Sequence, residues 1–288
     1  MSANTIDYRA NLGSADQNRK ISPNIWADCP WNDIQEGCVP GVAFYDDFQD
    51  FPLIGTQTTQ IGHGKYKLYA AAGCAVTRVS AVNSVELQGG ALSITMDTDN
   101  DEASIAQSYP TYYLSNSIAT SGKLWFECCY AQNSIVTNLA STFFGLAEVD
   151  AFTLASNVPH NSGDAIDASG SMIGFRIEED GLGVVDTVYS DRATSFTNIG
   201  DTEGGTLAAN VFSKFGFVYD PAADTARRVV FYANNLELTT KLTGAALTAL
   251  TNLDANPLGL LWSVAADSAG TSFAGYMKWW RIAQIQPN

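Results

Sequence analysis

Basic residues are scarce in this chain. Fifteen Lys and Arg stand against 30 Asp and Glu, a formal net charge of -15 at pH 7. A field of that sign repels polyanions, so nucleic acid is not expected as a direct ligand, and solubility is its ordinary use. Histidine is rarer still, with only His63 and His160. Neither has a serine nearby in a nucleophile-elbow context, and no G-x-S-x-G occurs. There is also no phosphate loop and no dinucleotide fingerprint. The cysteines Cys29, Cys38, Cys74, Cys128 and Cys129 are odd in number and hold no C-x-x-C pair, which argues against a disulfide framework and against zinc. Only Cys29 and Cys38 are placed to close a small loop under oxidising conditions. No apolar run approaches the ~20 residues of a membrane helix. The N-terminal "MSANTIDYRANLGSADQNRK" has no apolar segment of the secretory kind, so cytoplasmic synthesis without membrane association is expected.

What the chain does have is glycine, aromatics and alternation. Twenty-four glycines, 11% aromatics and 46% hydrophobic residues suit many short strands joined by tight turns. In "FSKFGFVYDPAADTARRVVFYANNLEL", Phe215, Phe217 and Tyr219 alternate with Gly216, Val218 and Asp220. A polar break follows, and Val229 to Tyr232 then runs into Asn234-Asn235, a pair that tolerates the positive φ of a tight reversal. A further strand is expected to begin at Leu236. Similar patterning predicts strands over Val42–Phe48, Tyr66–Ala71, Ser84–Leu87, Ala91–Met96, Ser108–Ser115, Lys123–Ala131, Ser141–Glu148, Ser171–Glu178, Val184–Tyr189, Lys214–Tyr219, Arg228–Tyr232, Gly259–Ala265 and Gly275–Ile285. So many strands exceed one flat sheet, and two sheets packed face to face are the usual solution. The fold class expected is all-β, a two-sheet antiparallel sandwich over residues 42–288, with one short helix in Gly244–Leu253.

Residues 1–41 differ from the rest. They read as an extended arm, polar and without sustained alternation, ending in "SPNIWADCPWNDIQEGCVPG". Trp26 and Trp31 are too large to leave exposed, so they either staple the arm to its own domain or dock it on a partner. The adjacent Trp279 and Trp280 must point to opposite faces of their strand, which sends one outward or into an interface. Two loops carry polar groups suited to binding. Asn157–Gly170 holds His160, Asn161 and Asp164 as candidate glycan contacts, and Ser190–Gly205 is the other. In "DTDNDE", Asp97, Asp99 and Asp101 alternate like the first half of a calcium loop. Glu102 stands where an EF-hand needs Gly and Ser108 where it needs Glu, which leaves a looser Ca2+ site or a solvated acidic turn.

The order "FYDDF", "KLWFECCY", "FFGLAE", "SMIGFRIE", the "KFGFVYD…VVFYANN" pair and "YMKWWRIAQI" resembles the concanavalin A-like lectin and glucanase superfamily. The resemblance implies a jelly roll whose first strand pairs with its last, and it spans hydrolases, glycan binders and proteins with neither activity. Glucanases of that superfamily carry three acidic residues at alternate positions on one strand. In "GLAEVDAFTL", Glu148 and Asp150 match two of them, but Phe152 stands where strict alternation needs the third and Thr153 where a bulged strand needs it. No catalytic residue is therefore expected, and Glu148 and Asp150 read as a strand end turning into solvent.

With the arm set ahead of a rigid sandwich, the chain is also similar to tailed-phage head decoration and other virion structural proteins. That likeness implies a non-enzymatic protein on the capsid exterior that binds the major capsid protein. Trp26 and Trp31 would be the anchors, and a homo-oligomer, a trimer at a local three-fold, would suit a lattice. A carbohydrate-binding module that touches host glycan is the alternative, and a glycoside hydrolase the third reading.

Overall fold

The structure is a computed structural model. It describes residues 21–51, 57–82, 85–97, 102–115, 117–136, 140–149, 170–178, 182–191, 197–200, 203–249, 256–266 and 272–287. Two antiparallel eight-stranded sheets face each other. Sheet I runs β14 (Leu236–Leu242), β13 (Val229–Ala233), β12 (Ser213–Tyr219), β7 (Leu124–Gln132), β16 (Phe273–Ile285), β5 (Val85–Met96) and β4 (Ala75–Val82), and β1 (Gly41–Asp46) also pairs with β16. Sheet II runs β11 (Thr197–Gly200), β10 (Val185–Ser190), β9 (Met172–Ile177), β8 (Ala140–Ala147), β15 (Gly259–Ala266), β6 (Glu102–Gln107), β3 (Tyr66–Ala70) and β2 (Gln57–His63). The all-β sandwich is as expected.

β16 is the seam of sheet I. One side pairs with β7 from Gly275 to Gln284, and the other pairs first with β5 and then with β1. "FYDDF" and "KWWRIAQI" thus lie side by side. The space between the sheets is filled by one side-chain set from each, including Phe126, Cys128, Phe217, Phe231 and Trp280 from sheet I and Ile105, Phe144, Phe175 and Trp262 from sheet II. Alternation sends their neighbours to the outer faces. Cys128 accordingly lies in this core, while Cys129 packs outside with Ala131, Phe212 and Trp279. Trp280 and Trp279 divide in the same way, but the outward Trp279 is fully buried within the chain rather than offered to an interface. Asn234 and Asn235 take φ of +48° and +69°, the conformation a two-residue hairpin requires.

Several boundaries differ from expectation. The two segments predicted around Ser84–Met96 are one strand, β5, with Gly90 in the left-handed region at φ +74°. Ser108–Ser115 is not a strand. Pro110 cannot donate to a ladder, and only Tyr112 forms a bridge, to Leu258. The strand in that region is β6, whose Ala103, Ser104 and Ala106 gave little hydrophobic signal. The predicted helix appears as α3 (Gly244–Ala249), after α1 (Pro23–Trp26) and α2 (Trp31–Gln35).

Candidate functional site

Residues 21–39, from the segment read as an extended arm, form two short helices laid across the outer face of sheet I. Ile25, Trp26 and Ile34 pack on Trp125, Val230, Tyr232 and Ala283, with Trp31 partly buried beside them. Trp26 is 7% exposed, and its indole N–H donates to Glu127 Oε2 at 2.7 Å. The Ser22 N–H donates to Glu127 Oε1 at 3.2 Å. Asn24 clamps the neighbouring hairpin, its N–H donating to Asn235 Oδ1 at 2.9 Å and its side-chain amide to Asn235 O at 2.7 Å. The two tryptophans expected to anchor a partner are therefore engaged on the chain's own sheet, the stapling alternative.

Beneath them lies a buried electrostatic cluster. Glu127 on β7 is opposite Arg281 on β16, and the Arg281 guanidinium carbon lies 5.0 Å from the Tyr45 ring centroid, 5.4 Å from Trp26 and Trp279, and 5.6 Å from Trp31. Burial raises the Glu127 pKa, with the Ser22 hydrogen bond and the Arg281 charge opposing the shift. Burial also pushes the Cys29 thiol up to about 12, with Asp28 reinforcing it. Cys29 and Cys38 are separate free thiols.

Sheet II carries the other polar concentration. On the face turned from the core, Ser104 Oγ and Ser263 Oγ are 2.6 Å apart across β6 and β15. Fully buried Arg176 donates to Glu178 at 2.8 Å and stands opposite Asp186. At the end of the sheet, the Glu148 N–H donates to Ser171 O at 2.9 Å. The Ser171 N–H returns to Glu148 Oε2 at 2.6 Å, and the Ser171 hydroxyl donates to Asp191 Oδ1 at 3.3 Å. Glu148 is 3% exposed, so it is not the solvated strand end expected. Its neighbours force this, because Val149 packs with Ala147 and Met172 and draws the chain back onto the sheet. Two carboxylates thus converge on one serine where β8, β9 and β10 end.

Asp191 was missed because it is 43 positions from Glu148, and only the antiparallel order of β8, β9 and β10 brings them together. Asp150, Phe152, Thr153, His160, Asn161, Asp164, Asp99 and Asp101 lie outside the described residues. Asp97 is exposed just after β5, and no group of three or more His, Cys, Asp or Glu is placed to hold a metal among the described residues.

No protein family and no curated protein matches the chain by sequence. Solved structures do. An endo-1,3-β-glucanase from Streptomyces sioyaensis aligns at TM-score 0.52 and 13% identity, over 85% of this chain and 96% of that one. The catalytic domain of an endo-1,3-β-glucanase (laminarinase) from Thermotoga petrophila gives 0.51 and 10%, over 86% and 99%. A GH16 protein of the Bacteroides ovatus mixed-linkage glucan locus gives 0.50 and 10%, over 83% and 99%. The fold shared with them is a two-sheet antiparallel jelly-roll sandwich.

The expectation that the chain is not an enzyme is corrected. It rested on a missing third carboxylate on one strand, yet these similar structures are glucanases. The Glu148–Asp191 convergence also shows that carboxylates reach a common point from different strands.

Proposed function

We propose that the chain is a carbohydrate-binding jelly-roll protein that engages glycan at the Glu148–Ser171–Asp191 corner of sheet II. The observation that carries the reading is the pair of carboxylates drawn to one serine. Carboxylate oxygens accept hydrogen bonds from the hydroxyls of a sugar; partly exposed Asp191 presents one, while Glu148, 3% exposed, holds Ser171 in place beneath it. The likeness to glucanases supports the substrate class through the fold.

The test is affinity electrophoresis in laminarin and mixed-linkage glucan, with reducing ends assayed in parallel, on the wild type, Glu148→Gln and Asp191→Asn. Retarded migration that either substitution weakens tenfold or more is expected. Reducing ends that disappear with Glu148→Gln would make the corner hydrolytic. Binding that neither substitution changes would refute the assignment.

A second reading is a virion structural protein that meets the major capsid protein as a homo-oligomer, such as a trimer. One observation favours it. Residues 21–39 cover the outer face of sheet I over β7, β13 and β16, which leaves partner contacts to the rest of the surface. Co-purification with intact particles at a fixed copy number tests it, and absence from purified particles would end it.

A further inference from the structure

Where the end of β16 meets residues 111–113 and 120–122, a depression of about 360 Å³ opens. We infer that it is a separate binding site for an uncharged saccharide of one or two rings. This rests on the reading that the chain handles carbohydrate, but not on the Glu148 corner.

The first argument is electrical. The chain carries a net charge of -15, yet no Asp, Glu, Lys or Arg lines the depression. The groups facing it are hydroxyls and amides, Thr111, Tyr113, Thr120 and Gln286, over apolar Val42 and Pro287. A lining without charge offers nothing to a carboxylate or ammonium group. Alternating hydroxyls and apolar patches match the alternating O–H and C–H faces of a neutral sugar.

The second argument is an aromatic at the mouth. Tyr113 is 41% exposed, and its hydroxyl forms no hydrogen bond among the described residues. A tyrosine with an open ring face and a free polar tip can meet both faces of such a ligand.

The third argument is preorganisation. The side-chain amide of Gln284 accepts from the Tyr113 N–H at 2.9 Å. It donates to Tyr113 O at 2.6 Å, Gly122 O at 3.0 Å and Ser121 Oγ at 3.1 Å. One buried amide thus ties β16 to both limbs of the 111–122 segment, much as a neighbouring strand would. Gly122 lies so close to Ile285 that a Cβ there would overlap the Ile285 carbonyl oxygen. A wall fixed in this way needs no ordering when a ligand arrives. The volume is at the small end of the ~300–1,000 Å³ typical of ligand pockets, which limits the occupant to one or two rings.

The experiment is saturation-transfer NMR and titration with methyl β-glucoside, laminaribiose and N-acetylneuraminic acid, on the wild type, Tyr113→Ala, Gln286→Glu and Asp191→Asn. Tyr113→Ala keeps both backbone bonds to Gln284, and Gln286→Glu adds a charge at an exposed position. Binding of the two neutral sugars but not the acidic one is expected. Tyr113→Ala should weaken it at least tenfold and Gln286→Glu at least threefold, with Asp191→Asn leaving it unchanged. Neutral-sugar binding lost only with Asp191→Asn would overturn this inference while sustaining the Glu148 corner. Loss with Tyr113→Ala that Asp191→Asn does not share sustains this inference, and the Glu148 corner is decided by the electrophoresis in polymeric glucan alone. Equal binding of the acidic sugar, or no saccharide binding, would overturn the inference outright.

Discussion

Truncating Trp26 to Ala tests whether residues 21–39 belong to the folded unit. The substitution removes an indole that is 7% exposed and the donor 2.7 Å from Glu127 Oε2. Emptying such a site costs about 3–5 kcal/mol in a core that cannot collapse. Trp26→Phe keeps most of the packing and removes only the donor, so it is expected to cost about 1.5–3 kcal/mol, the range for hydrogen bonds to charged groups. The loss has a ceiling. Once it exceeds the free energy that docks 21–39 on sheet I, the segment lifts off and further damage there is not felt. Ile34→Ala separates the cases, because its cost adds to that of Trp26→Ala below the ceiling and vanishes above it. The assay is urea unfolding at constant m-value, with chymotrypsin resistance of residues 21–39 followed alongside. A change under about 0.5 kcal/mol for Trp26→Ala with unaltered protease resistance would refute the stapling account.

Glu127 gives a pH prediction. Its folded pKa is raised above the 4.5 of an ordinary glutamate, chiefly by burial. Its contribution to stability is therefore fully present below pH 4.5 and is lost as pH rises through the elevated value. Docking of 21–39 should loosen over that window, and Glu127→Gln should flatten the dependence of urea midpoint on pH; parallel curves for the two proteins would contradict this. Gly145→Ala is expected to prevent soluble folding. A Cβ there would overlap the Ile173 carbonyl oxygen and stand 2.7 Å from Gly174 Cα on the paired strand. Far-UV circular dichroism and a wild-type elution volume for this variant would show that β8 and β9 are not packed this closely.

The sandwich was legible because its central strands write their alternation in large side chains. β7, β12, β13 and β16 each set Phe, Trp, Tyr or Val on the core side. β6 carries the same period in alanine and serine, and the mainly polar "QTTQIGH" of β2 hides it too. The two-sided character of Cys128–Cys129 and Trp279–Trp280 followed from period two, but which outward residues would be covered did not. That depended on residues 21–39, whose helices are four and five residues long and leave little periodicity to read. The Glu148 corner was half legible: the sequence singled out Glu148, whereas Asp191 joins it only through the fold.

The thirteen-residue β16 sets the order in which the molecule can be completed. It lies between β7 on one side and β5 and β1 on the other, and all three precede it in the chain. A ribosome therefore releases every partner before the strand that joins them. Until residues 273–285 emerge, β5 and β7 in sheet I present unsatisfied edges to other nascent chains. Gly41 must then find Ile285 across almost the whole sequence, a closure whose entropy cost precedes its reward. Slow, chain-length-limited folding follows, as does a window for strand exchange between copies during synthesis. Expression at lower temperature or lower ribosome density should raise the soluble yield for that reason.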